Sequence, residues 1–355
     1  METKIYKVDR DNLQNSISDI KNAAEIIKQG GLVAFPTETV YGLGGDGTNP
    51  NAAKRIYEAK GRPSDNPLII HIHTPEQAEE YANTNATYYR LAEKFMPGPL
   101  TVVLSAKDSV PFATRGGLTT VAVRCPSDII ARKLIELSAC PIAAPSANLS
   151  GSPSPTRAEH VIDDMMGRVD AIIDGGDCDI GLESTIVKIE DDGRIVLLRP
   201  GKITVDELAC VTEVTIADAV TDKLREGEVA ISPGMKYRHY APSAPVVLLD
   251  GELAETIDFI KMDEVGSKAI LCYSDDEKCV HSLIPDADIY VLGARENINE
   301  QARHLFDILR IADKHHYDKI YAPLPSKEGV SLALYNRMIR AAAHTIINLR
   351  QVENG

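Results

Sequence analysis

A two-domain α/β protein is the fold class this sequence predicts, and three observations carry the prediction. Strand-like apolar runs alternate with helical periods along both halves of the chain. At 355 residues, 44% of them apolar, the chain is too long for the usual single core and has enough apolar side chains to fill two. From Gly227 to Pro245, prolines, glycines, cations and aromatics replace the aliphatic runs, which marks a linker. The expected division is a first domain over 1–226, a linker over 227–245 and a second domain over 246–355.

Taken in order, Lys21 to Lys28 offers Ala23, Ala24, Ile26 and Ile27 to a core and reads as a short helix. Gly31 to Pro36 is a buried strand closed by proline. Gly42, Gly44 and Gly47 lie in what reads as a tight turn. Asn49-Pro50 is an N-cap followed by proline at the first helical position, Ala52, Ala53, Ile56 and Ala59 give the helical period, and Gly61 stops it. Leu68 to Ile72, Thr101 to Ala106, Thr120 to Arg124 and Ile142 to Ala144 follow as apolar runs or strands, with a helix over Ile129 to Leu137. Thr156 with Glu159 has the spacing of a capping box for a helix reaching about Met166. Val169 to Ile173, Ser184 to Ile189 and Ile195 to Leu198 then read as three strands of an antiparallel part of the sheet. The second domain alternates more simply: strand Val246 to Leu249, helix Leu253 to Lys261, strands Lys268 to Tyr273 and Asp288 to Leu292, helix Glu300 to Lys314, strand Lys319 to Ala322 and helix Leu332 to Leu349. That pattern predicts a compact parallel domain.

Composition excludes several classes. A net charge of -14 opposes a protein that grips RNA through its phosphates. Six cysteines stand without a C-x-x-C pair, against a zinc site or disulfide framework. No apolar run reaches membrane-spanning length and the N-terminus lacks a signal-peptide core, so the expectation is a cytoplasmic protein with no membrane partner. No G-x-x-x-x-G-K-[ST] is present, so ATP, if used, is held without a P-loop. The glycines at 42, 44 and 47 match G-x-G-x-x-G, but Asp65 sits in a loop where a dinucleotide site needs an acid at a strand end.

Within this acidic chain, Lys60, Arg62, Arg115, Arg124 and Arg199 are candidate cations for a small anionic ligand. His71 and His73 lack the carboxylate or cysteine that would make them metal ligands, and the adjacent His315 and His316 read as solvated cations at a helix end. Ser146 has neither an obvious base nor a nucleophile elbow, which favours a binding serine.

The motifs PTETVYGLG, KGRPSDNPL, AVRCP, PSANLSG and LESTIV, in order from Pro36 to Val187, resemble the YrdC-type family of threonylcarbamoyl-AMP synthases. SPGMKYRHYAP at Ser232 to Pro242 resembles the linker of that family's long form. The resemblance implies a YrdC-like twisted mixed-sheet α/β domain followed by a smaller Rossmann-like parallel α/β domain. It implies that threonine and bicarbonate form a carbamate whose oxygen attacks the α-phosphorus of ATP, leaving threonylcarbamoyl-AMP and pyrophosphate for tRNA modification. Magnesium carried by ATP is expected, with no zinc, flavin or NAD. The product would pass to a tRNA threonylcarbamoyl transferase complex, without stable binding of nucleic acid by this chain.

Carried over residue by residue, the resemblance implies Lys60 and Arg62 as catalytic cations. It implies Arg62, Asn66, Thr120, Ser146, Ser154 and Arg199, with Tyr237 and Tyr240 of the linker, at the nucleotide. Arg124 is implied for the threonine carboxylate, and Thr39, His71, Ala144 through its backbone, and Ser184 for the side chain. Thr37 is an alternative to Thr39, since the sequence does not say which points inward, and the general base is left among Glu38, Glu183 and bicarbonate. The linker is expected to act as a lid. Carbamoyl-transfer enzymes with YrdC-like domains and an RNA-binding module are the competing readings.

Overall fold

The computed structural model describes residues 1–221 and 240–350. Most of the expected linker, with Tyr237, lies outside the described residues. The chain forms two compact units.

The first unit holds one mixed sheet. Its strands are β1 (Lys4–Lys7), β2 (Val33–Phe35), β3 (Gly42–Asp46), β4 (Ile69–His71), β5 (Leu100–Ser105), β6 (Thr120–Arg124), β7 (Ile142–Ala143), β8 (Ala171–Asp174), β9 (Thr185–Ile189), β10 (Ile195–Arg199) and β11 (Val214–Ile216). Their spatial order is β1-β8-β2-β3-β7-β4-β6-β5-β9-β10-β11. The helix Ile17–Lys28 buries Ile20, Ala23, Ala24 and Ile27, a stripe at helical spacing, in one core with Val33, Phe35 and the Ile130, Ala131 and Leu134 face of helix Ile129–Ser138. The helix Pro50–Lys60 is capped as its sequence requires. Asn49 accepts from the Asn51 N–H, and Gly61 leaves the helix in the left-handed region at φ 61°.

Three expectations are corrected here. The glycine-rich stretch is not a tight turn: Gly42–Asp46 is β3, antiparallel to β2 and β7. Its glycines answer a packing constraint, since a Cβ on Gly44 would stand 2.7 Å from both Ile142 Cγ2 and Phe35 Cε1. Nor do the three strands after residue 169 form one antiparallel group. β8 lies parallel between β1 and β2, while β9 and β10 pair antiparallel near the opposite edge. Finally, Thr156 and Glu159 make no capping box. The helix spans Ala158–Met165 behind an extended Arg157, and the Thr156 N–H donates to His160 Nδ1 at 3.3 Å.

The second unit carries β12 (Val246–Asp250), β13 (Lys268–Tyr273), β14 (Asp288–Gly293), β15 (Lys319–Pro323) and β16 (Ile346–Asn348) in the order β14-β13-β15-β12-β16, every pair parallel. A helix not expected from the sequence, Glu277–Leu283, joins β13 to β14, supplying the crossover that parallel strands need. The last helix is shorter than expected, Ser331–Ala341. Ala343 and His344 take positive φ (49° and 64°) and reverse the chain, so that the β-branched Ile346 and Ile347 extend the sheet beside β12. Among the described residues no helix is long and apolar enough to cross a membrane.

Candidate active site

The register of five neighbouring strands in the first unit sets polar side chains in a row. His71 pairs with Arg124, Arg124 with Thr101, Thr101 with Ile186, and Ile186 with Arg199. Residues directly paired across strands share a face. The residues two steps along the strands on that face, Ile69, Ala122 and Val103, form an apolar cluster with Ile186. The polar row is therefore the end of an apolar strip, at the ends of β4, β6 and β10 and the start of β5.

The members of the row are tied to one another. Arg199 donates from Nε to the Ser184 carbonyl at 3.0 Å and from Nη2 to Ser184 Oγ at 3.1 Å, and Ser184 Oγ lies 2.8 Å from Thr101 Oγ1. Arg124 Nη2 is 2.8 Å from Glu38 Oε1, with both side chains less than a tenth exposed. It also reaches Thr37 Oγ1 at 3.5 Å. The His71 imidazole is buried with Nδ1 3.3 Å from the Ile142 carbonyl. Burial above all, with the Arg124 guanidinium beside it, pulls its pKa down from 6.5 to about 3, so it is neutral at physiological pH.

That depression has a sign. Between pH 6.5 and about 3 the unfolded chain binds a proton at this position that the folded chain does not, so the stability linked to His71 is complete above pH 6.5 and drains away as pH falls through the window. Melting temperatures followed down that range should fall more steeply for the native protein than for His71→Gln. Parallel curves would remove His71 from the account.

The two threonines of Pro36-Thr37-Glu38-Thr39 are distinguished by their hydrogen bonds. Thr37 Oγ1 donates to the Val40 carbonyl at 2.6 Å and accepts the N–H groups of Thr39 and Val40, so it is spent on the turn. With that proton committed, Thr39 is the donor in the 2.8 Å contact between the hydroxyls, and its oxygen keeps acceptor capacity. Ala144 gives its N–H to the Ile69 carbonyl, so a contact from it to a ligand goes through its carbonyl.

Among the other expected site residues, Lys60 is almost wholly buried and its ammonium donates to the carbonyls of Ser146 and Asn148 and to Asn148 Oδ1. It therefore anchors the 146–148 segment, where Ser146 Oγ donates to Asn148 Oδ1. Arg62 is half-buried and lies over its own loop, with Nε 3.4 Å from the Asn66 carbonyl and Nη2 3.3 Å from that of Pro67. Asn66 is buried, with no hydrogen-bond partner for its side-chain oxygen among the described residues. The Arg115 loop presses on this one: at Gly116, φ 61°, a Cβ would stand 3.0 Å from Pro67 N. Arg115 itself is buried with its guanidinium 4.1 Å from the Phe112 ring centroid. Thr120 lies on the Arg124 face, four residues and about 13 Å along β6. Ser154 donates to Glu183 Oε1 at 2.5 Å, with both residues buried.

Tyr240 belongs to the second unit, where it is buried and stacked on Phe306 with ring centroids 5.0 Å apart, and its φ is 62°. Among the described residues no group of three His, Cys, Asp or Glu side chains is arranged to hold a metal ion.

Comparison with known proteins decides the family. A family model described as "Telomere recombination", for the Sua5, YciO and YrdC group, matches residues 25–201, and one described as "Threonylcarbamoyl-AMP synthase, C-terminal domain" matches residues 203–343. The chain is 46% identical over 338 residues to the threonylcarbamoyl-AMP synthase of Pyrococcus abyssi, covering 93% of this chain and 96% of that one. It is 42% identical over 353 residues to the Bacillus subtilis threonylcarbamoyl-AMP synthase, covering 98% and 100%. The chain belongs to the threonylcarbamoyl-AMP synthase family. Among solved structures, that of P. abyssi Sua5 complexed with L-threonine aligns with a TM-score of 0.87 at 44% identity, over 98% of this chain and 99% of that one.

Within this family member, Thr101 is the polar residue of the row that sequence reasoning passed over. It sits in the run Leu100–Ser105, whose apolar composition signals only a buried strand. The available signal was a hydroxyl in a wholly buried strand, which requires a partner, and Ser184 supplies it. Arg199 has the clearest mutational signature. Charge-assisted hydrogen bonds are worth about 1.5 to 3 kcal/mol, so Arg199→Ala should slow the ATP-dependent reaction roughly 10-fold to 160-fold. An unchanged rate would place the anionic substrates away from this end of the row.

Proposed function

We propose that this protein makes L-threonylcarbamoyl-AMP from L-threonine, bicarbonate and ATP, releasing pyrophosphate, for synthesis of N6-threonylcarbamoyladenosine next to the anticodon of tRNAs. The observation that carries the reading is the buried row His71, Arg124, Thr101 and Arg199 with Ser184, in a chain that matches synthases of this family along almost its whole length. Threonine and bicarbonate condense to a carbamate with loss of water. Its oxygen attacks the α-phosphorus while the bond to pyrophosphate breaks, a reaction that rests on positioning and charge neutralisation.

In this reading Arg124 meets the threonine carboxylate, with Glu38 holding the guanidinium in place, and Thr39 and Ser184 bond the side-chain hydroxyl. Neutral His71 and the Ala144 carbonyl complete that pocket. Asn66, Thr120, Ser146 and Ser154 contact the nucleotide, and Arg62 and Arg199 face the phosphates and bicarbonate. Lys60 holds the 146–148 segment against them. Magnesium arrives with the triphosphate. The product passes to a tRNA-modifying transferase, and the net charge of -14 argues against a lasting grip on RNA by this chain. A cytoplasmic setting fits these substrates.

Purified protein given ATP, magnesium and bicarbonate should release pyrophosphate only when threonine is added. Release at the same rate without threonine would refute the assignment.

A further inference from the structure

The second unit contains a cleft that the proposed reaction does not use. It has a volume of about 180 Å³ and lies where β12, β13 and β15 end. β13 and β15 are neighbours, yet the chain leaves β13 toward β14 on one side and leaves β15 toward β16 on the other. Loops diverging from adjacent parallel strands open a crevice at their carboxyl ends, which is where open α/β sheets bind ligands.

The lining defines the chemistry. Ile257, Ile270 and Cys272 make an apolar floor. At the mouth, the Arg295 guanidinium lies 4.4 Å from the Tyr273 ring centroid and pairs with Asp276 at 2.6 Å, forming a flat wall. Asp250 and Glu252 stand on the rim, where Arg350 pairs loosely with both, at 4.0 Å and 3.5 Å respectively. The volume somewhat exceeds the roughly 150 Å³ cavity that accepts benzene. It therefore suits a planar base, with the rest of the ligand at the rim.

The same rim argues against phosphate. Helix Leu253–Met262 begins here, but its N-terminus is occupied by acids: Glu255 Oε2 accepts the Glu252 N–H at 2.7 Å, and a Cβ on Gly251 would stand 2.8 Å from that same oxygen. A helix start capped by carboxylates repels the anion that such a position otherwise attracts. Rim carboxylates near strand ends instead suit the hydroxyls of a ribose. We propose that the cleft at the ends of β12, β13 and β15 binds a nucleoside without phosphates, its base on the apolar floor against Arg295 and Tyr273 and its ribose hydroxyls at Asp250.

Full-length protein carrying ¹³C-labelled isoleucine methyls tests this with adenosine as probe, because Ile257 and Ile270 report on the cleft and not on the first unit. A non-cleavable ATP analogue and threonine are present throughout to occupy the synthase site. Adenosine should shift both methyls saturably at concentrations up to about 5 mM, and AMP should need roughly 10-fold more, as a dianion brought beside carboxylates would. Thr256→Trp, which fills the cleft from its half-exposed helix face, and Arg295→Ala should each abolish or weaken the shifts at least several-fold. No shift with adenosine, equal response to AMP, or unaltered shifts in both variants would overturn the proposal.

Discussion

Arg124→Met should abolish threonine-dependent pyrophosphate release and also destabilise the protein, because the substitution strands Glu38. The Arg124–Glu38 pair is 2.8 Å long with side chains only 5% and 7% exposed. Removing one partner of such a buried pair leaves an uncompensated charge, at a cost of about 3 to 5 kcal/mol. For a unit of this size that lowers the melting temperature by on the order of 10 °C. The double variant Arg124→Met with Glu38→Leu replaces the pair by apolar groups and should recover most of the stability, yet none of the activity. Urea denaturation and pyrophosphate release on the three proteins separate the roles. A double variant that regains activity would mean that Arg124 only neutralises Glu38.

Threonine should be preferred over valine by a factor on the order of 10⁴, since polar groups built to bond a hydroxyl are left unpaired by the isostere. Thr39, Ser184 and Thr101 are all wholly buried, and their hydroxyls are within hydrogen-bond reach of neighbouring side chains. The preference shows in kcat/KM for the two amino acids under saturating ATP and bicarbonate. Near-equal values would mean that the hydroxyl is not read at this row. Thr39→Val and Ser184→Ala should each narrow the preference, and they apportion it between the two hydroxyls.

The placement of several candidate site residues was legible because they stand at strand ends and turns, where the sequence changes character. Arg124 closes an apolar strand, His71 closes another, and Lys60 precedes the Gly61 stop. Glu38 was legible as a carboxylate but not as the partner of Arg124, because the two meet only once β2 and β6 are placed in one sheet. Thr101 was hidden for the opposite reason, as a polar residue inside an apolar run.

The fold was misread where local composition conflicts with packing. Gly42–Asp46 has the residues of a turn, yet it is a strand whose glycines admit Phe35 and Ile142. β1 is mostly exposed and carries Lys4 and Lys7, so it lacks the apolar alternation of a strand. Its pairing with β8 supplies the order that its own sequence does not.

The central claim is that the polar row assembles a threonine-derived carbamate and transfers AMP to it, and isotopic labelling tests this most directly. The protein is incubated with ¹³C-bicarbonate, threonine, ATP and magnesium, and the nucleotide products are weighed by mass spectrometry. The account predicts an adenylate containing both threonine and the labelled carbon, formed in equal amount to pyrophosphate and absent when threonine is withheld. Pyrophosphate released with only AMP or an unlabelled adenylate as its counterpart would contradict it.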